Sequence, residues 1–274
     1  MGIKESSYYY KPKVDPDIKR QSDLGLKNEI EEIQLKYPAY GYRRVKHHLR
    51  RSGKRVNHKR IQRVMKKYGL KSALKKAFIP YRKYSDAPGP CFPNRVKGLK
   101  LTGPNQMWST DMTYIKIHGG FIYLSAILDV YTRVVIGWAI SRKIDKELCI
   151  AAMKSAIKNR GEHPGCIHHS DQGVQYTSHK YVRFLMNHKF KISMSAKGTP
   201  TENGYIESFF KTLKHEEILL KGYKTWDEVV KRVPYFIEEV YNKKRLHSSL
   251  GYMPPEEYEA SIINLVNRPI QKVG

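Results

Sequence analysis

Apolar residues recur along the first third of the chain at intervals that bury one side of a helix. Leu26, Ile30, Ile33 and Leu35 mark a helix from Asp23 to "KYPAYG", where Pro38 and Gly41 end it. "YRRVKHHLRRSG" reads as a second short helix closed by Gly53. "VNHKRIQRVMKKYGL" reads as a third, with Asn57 as N-cap, Gly69 at its end, and Ile61, Val64, Met65 and Tyr68 on one side. Residues 80–104 then hold five prolines, which fits an extended linker. Beyond it the period shortens to two. "QMWSTDMTYIKI", "FIYLSAILDV" and "RVVIGWAIS" read as three β-runs separated by "HGG" and "YT", an antiparallel meander. Helix "DKELCIAAMKSAIKNR", strand "CIHHS", helix "SHKYVRFLMNHK" and strand "KISMS" follow. Ile206, Phe209, Phe210 and Leu213 bury one side of a further helix, and "KTWDEVVKRVPYFIEEVYNKKR" continues as helix with a kink at Pro234. The order βββαβαβα predicts an α/β domain with a mixed sheet, behind a small all-α unit. The expected boundaries are a leader over 1–22, a helical domain over 23–80, a Pro-rich linker over 81–104, a core over 105–262 and a tail over 263–274.

Charge changes this picture from architecture to function. The 274 residues carry a net charge of +26. Residues 1–100 hold 27 Lys and Arg against 8 Asp and Glu, a net of +19, and the remainder nets +7. Such self-repulsion in a folded segment points to a polyanion partner. Lys59, Arg60, Arg63, Lys66 and Lys67 cover much of the third helix outside its apolar side, the outline of a helix-turn-helix that meets double-stranded DNA. A membrane partner fits poorly: the most apolar window, "FIYLSAILDVYTRVVIGWAI", is interrupted by Asp129 and Arg133, and the opening residues lack the apolar stretch of a signal peptide. Three cysteines without pair spacing are consistent with a reducing cytoplasm.

Three carboxylates stand at unusual places. Asp111 interrupts the first strand, where an Asp is unfavourable. Asp171 follows the fourth strand, and strand ends are where ligands bind in open α/β sheets. Glu207 lies on the "TENGYIESFFKTLK" helix, with 35 residues separating it from Asp171. Each has an ordinary alternative: a strand charge paired with a lysine, an Asx-type turn, and an i, i+4 pair with Lys211. If the first and fourth strands are neighbours, the three can meet at one edge of the sheet. They would then suit two hard divalent cations for phosphoryl transfer.

"WSTDMTY", "HHSDQGVQY" and "NGYIESFFKTLK", followed by "YNKKRLHSSLGYMPPEEY", resemble the second-frame transposases of the bacterial insertion-sequence IS-three group, within the retroviral-integrase superfamily. The resemblance spans about residues 25–260. It implies an RNase H-like mixed five-stranded sheet flanked by helices, and a helix-turn-helix-like N-terminal domain. It implies a triad of Asp111, Asp171 and Glu207 holding two magnesium ions, with manganese as a substitute. Lys214 is implied near the scissile phosphate, with Lys211 facing DNA. The implied activity is strand cleavage and 3′-hydroxyl strand transfer in transposition and DNA integration. The implied partners are the element's terminal inverted repeats, target DNA, further copies of the chain on that DNA, and an upstream-frame protein or a frameshift fusion with it. The implied place is the bacterial cytoplasm, at the nucleoid. Arg245 and His247 are further candidate DNA contacts, with a helix-end role as the alternative. Tyr176 and Asn203 are expected to shape the site's loops, Trp108 to be core, and one of His168 and His169 to touch the site. A catalytically silent DNA-binding regulator of the same fold is the alternative function, and a ribonuclease of that fold a further one.

Overall fold

The computed structural model describes residues 15–73, 90–196 and 200–266. The expected leader up to residue 14, the linker over 81–89 and the tail from 267 lie outside those residues. The chain divides into two compact units, Met1–Leu74 and Lys75–Gly274.

In the first unit, α1 (Pro16–Lys36), α2 (Tyr42–Arg51) and α3 (His58–Lys67) pack around Leu26, Ile30, Ile33, Val45, Leu49, Ile61 and Val64. Helix α1 begins inside the expected leader. Asp15 Oδ1 accepts the Asp17 N–H at 2.8 Å, and Pro16 fills a first-turn position that needs no donor. Leu35, expected inward, is 82% exposed, because it falls off the face shared by Leu26, Ile30 and Ile33. The predicted Asn57 cap is present, its Oδ1 accepting the Lys59 N–H at 2.9 Å. A buried carboxylate ties α1 to α3: Asp23 accepts from Arg60 Nε at 3.1 Å and from Arg63 Nη1 at 2.7 Å. Burial pushes the Asp23 carboxyl up, but the hydrogen bonds from Arg63 and Arg60 outweigh it and hold the group below the usual carboxylate range.

The second unit is built on a five-stranded sheet ordered β3-β2-β1-β4-β5. Strands β1 (Met107–Ile117), β2 (Gly120–Asp129) and β3 (Val135–Ser141) form the predicted antiparallel meander. After α4 (Lys146–Arg160), β4 (Ile167–Ser170) pairs parallel to β1, and after α5 (His179–Asn187), β5 (Lys191–Met194) pairs parallel to β4. Trp108, Met112 and Ile127 belong to a core with α4 and α5, while Ile115, Leu124 and Leu128 belong to a second core. That second core is closed by α6 (Gly204–Leu213) and α7 (Trp226–Tyr235). At Gly137 a Cβ would lie 2.4 Å from the Ala156 backbone nitrogen, so only glycine lets α4 approach β3 this closely.

Three expectations change here. The segment from Pro90 onward is not a free linker: Phe92 packs on the first core, and Arg95 donates its backbone N–H to Ser193 Oγ at 2.9 Å and its Nε–H to the Ile192 carbonyl at 3.2 Å. The helices after β5 are not regular. Helix α6 winds on as a π-helix over Lys214–Ile218, and α7, which contains Pro234, winds on as a π-helix over Phe236–Asn242. Helix α8 (Pro255–Val266) runs past the expected end of the core at 262. Among the described residues no helix is long and apolar enough to cross a membrane.

Candidate active site

Pairing of β1 with β4 sets the site. Met107 lies opposite Ile167 and Ser109 opposite His169. Past this pairing β1 runs on to carry Asp111, while β4 ends at Ser170, immediately before Asp171. β1 is the central strand of the sheet, and Asp171 follows the end of its neighbour β4, as expected. Each aspartate is turned by a local hydrogen bond. Asp111 Oδ1 accepts the Met112 N–H at 2.7 Å, and Asp171 Oδ1 accepts the Gly173 N–H at 3.0 Å. Gly173 has a reason to be glycine, since a Cβ there would lie 3.0 Å from that carboxylate oxygen.

Glu207 arrives on α6, whose start is clamped to β1 by Asn203. Asn203 Nδ2 donates to the Thr110 carbonyl at 2.9 Å, and Ser109 Oγ donates to Asn203 Oδ1. Both partners immediately precede Asp111. Asn203 is the residue that caps this helix, and Glu207 lies in its first turn. Glu207 Oε2 lies 4.0 Å from Lys211 Nζ. Among the described residues no three His, Cys, Asp or Glu side chains gather closely enough to hold a metal ion. The donor chemistry nevertheless fits a hard divalent cation, since carboxylate oxygens are the ligands such an ion takes.

Behind the aspartates, Tyr176 is buried with its hydroxyl 3.5 Å from Thr110 Oγ1. Burial, then the nearby Cys149 and the Asp111 carboxylate, push its phenol well above the usual tyrosine range. Both histidines are core residues, against the expectation that one touches the site. His168 Nε2 meets the Tyr181 hydroxyl at 2.8 Å and His169 Nδ1 meets Ser193 Oγ at 2.9 Å. Burial lowers their pKa values, to about 3 for His168 and about 4 for His169. Trp108 is buried, as expected.

The candidate DNA contacts separate into two groups. Lys59, Lys66, Lys67 and Lys211 are exposed, and Lys214 sits 4.8 Å over the Tyr114 ring where the π-helix starts. Arg60 and Arg63 are engaged by Asp23. Arg245 and His247 do not face solvent. Arg245, 5% exposed, donates to both Glu216 oxygens at 2.7 and 2.6 Å, and His247 packs edge-on against Tyr241. Lys46, Arg50 and Arg55, which sequence reasoning did not single out, instead line a cleft of about 380 Å³ beside the Asn57 cap. Their signal was the density of cations flanking the turn between α2 and α3.

Comparisons with known proteins bear on the same segments. Residues 21–78 match the family described as HTH-like domain, and residues 102–200 and 188–255 match two families described as integrase core domain. The 31 kDa protein of insertion element IS600 from Shigella sonnei is 34% identical over 259 residues, covering 94% of this chain and 95% of that protein. Transposase InsF for insertion sequence IS3A of Escherichia coli (strain K12) is 34% identical over 221 residues, covering 80% of this chain and 76% of its own. The HTLV-2 integrase catalytic core domain in complex with magnesium overlays on 58% of this chain and 99% of its own, at 17% identity and a TM-score of 0.46.

Proposed function

The chain belongs to the insertion-sequence transposases of the IS3 family, and on that premise we propose that it cuts DNA at the element's ends and joins strands by 3′-hydroxyl attack on a phosphodiester. Asp111, Asp171 and Glu207 are the carboxylates assigned to this chemistry. The observation that supports the reading is the parallel β1–β4 pairing, which makes the strand that carries Asp111 a neighbour of the strand that leads into Asp171. The three would hold magnesium or manganese, two ions per site; bound there, the metals supply an activated hydroxyl and charge neutralisation at the leaving oxygen. Asn203 keeps α6 against β1 so that Glu207 stays within reach. When Glu207 turns to its ligand role, Lys211 is released to face phosphate, and Lys214 is assigned to the strand near the scissile bond.

The first unit is assigned to duplex gripping, through Lys59, Lys66 and Lys67 together with Lys46, Arg50 and Arg55. The substrates are then the terminal repeats and target DNA, the working form is an oligomer on that DNA, and the site of action is the bacterial cytoplasm. An upstream-frame protein, or a fusion with it, belongs to the same reading. The test is nicking and strand transfer on DNA carrying the element's ends, in magnesium and in manganese. Asp111→Asn, Asp171→Asn and Glu207→Gln should each reduce product at least a thousandfold while retaining DNA binding and the wild-type melting profile. A variant that still cuts removes its residue from the triad. A wild-type chain that binds but never cuts would support the silent-regulator reading instead.

A further inference from the structure

The turn between β2 and β3 holds an arginine in an unusual state. Arg133 has φ of 65°, a left-handed backbone rarely adopted by residues other than glycine. Asp129 fixes that turn: its Oδ1 accepts the Tyr131 N–H at 2.8 Å and the Thr132 N–H at 3.0 Å, and its Oδ2 accepts the Asn105 N–H at 2.6 Å. The guanidinium carbon lies 3.8 Å from the centroid of the Tyr205 ring. Arg133 Nη1 is buried without a hydrogen-bond partner. A buried, unpartnered guanidinium donor is costly, and backbone strain of this kind concentrates at ligand-binding positions.

Arg133 lines a cleft of about 460 Å³ together with Lys97, Tyr131, Tyr205, Glu202 and Tyr258. None of the three proposed catalytic carboxylates lines it. It lies beside Met107, four residues and about 13 Å along β1 from Asp111, and beside the start of α6. Two cations, three tyrosines and a carboxylate fit one nucleotide. A phosphate oxygen would supply the acceptor that Arg133 Nη1 lacks, and the Tyr205 ring over the guanidinium is 47% exposed. A base stacks on the tyrosines, and stacking of this kind is indifferent to sequence.

We propose that this cleft captures a single unpaired nucleotide of the strand being processed, a few nucleotides from the scissile phosphate. The proposal rests on the strand-cutting reading above. The experiment uses the full chain, with a blunt duplex and the same duplex carrying a five-nucleotide 3′ overhang that contains 5-iododeoxyuridine. Wild type should bind the overhang about tenfold more tightly than the blunt end, and irradiation should join the overhang to Tyr131, Tyr205 or Tyr258. Tyr205→Ala and Arg133→Ala should lose the preference while binding blunt duplex as before, and Tyr205→Trp should keep it. Tyr205→Ala guards against misfolding at Arg133, because its ring is half exposed. Equal wild-type binding of both ends, cross-links elsewhere, or a preference that survives Tyr205→Ala overturns the proposal. Failure to bind either DNA would instead count against the strand-cutting reading itself.

Discussion

At the scale of single residues, Asn203 is where local chemistry meets the site. It is buried, and its amide serves a carbonyl and a hydroxyl on β1 at once. Asn203→Ala leaves both without that partner, a cost of about 1–3 kcal/mol for each group left unsatisfied. The variant should melt earlier and, as a positioning change, should need more metal for half-maximal cleavage. A lower melting temperature with unchanged metal dependence would reduce Asn203 to a structural role. The buried histidines set a second expectation. With native pKa values of about 3 and about 4 against 6.5 unfolded, His168 and His169 stay neutral in the fold while the unfolded chain takes up protons. Their contribution is complete above about pH 6.5 and declines as pH falls toward 4, by up to about 1.4 kcal/mol per pH unit for each histidine. Denaturant midpoints measured at pH 7.5 and pH 5 should differ accordingly, and His169→Asn should shrink the difference.

At the scale of elements, the π-helical stretch after α6 has a defined purpose. It offsets the helix so that Glu216 meets Arg245 and Glu217 meets both Arg232 and the Tyr223 hydroxyl. Deleting His215 should convert the stretch to α-helix and turn those carboxylates away from their partners. Breaking the buried Glu216–Arg245 pair alone is expected to cost about 3 kcal/mol or more, read as a fall in unfolding midpoint. Such offsets show where legibility ends. The meander, the strand bearing Asp111 and the helix bearing Glu207 were readable because period and turn residues are local signals. The start of α1 was also readable, in Asp15 and Pro16, but the Tyr- and Pro-rich opening masked it. Partners far apart in sequence were not readable. Nothing near Arg245 announces Glu216, nothing near Arg60 announces Asp23, and a π-turn leaves no periodic mark. The arm around Arg95 looked like a linker because prolines also suit a strand-edge segment whose few donors point at one neighbour.

At the scale of the molecule, positive charge is concentrated in the segment that holds the helical unit, and that unit should bind duplex DNA with steep salt dependence. A fragment of residues 15–73 should show log K falling against log salt by about 0.9 for each phosphate neutralised. Replacing Lys46, Arg50 and Arg55 with Ala should flatten that line. Replacing Arg60 and Arg63 should mainly destabilise the fragment, because Asp23 already holds them. An unchanged slope in the first variant, or a large change at constant stability in the second, would reverse the assignment. The sheet order has one more consequence, which concerns synthesis. Strand β1 is made before β4, yet β4 occupies one of its sides. During translation of the stretch between Ser141 and Ile167, the 11-residue strand that carries Asp111 is an open edge with unpaired backbone groups. An edge of that length recruits other strands. Chains terminated in that interval should therefore be aggregation-prone, while a chain that reaches β4 has paired the Met107–Ser109 end of that edge with its own next strand.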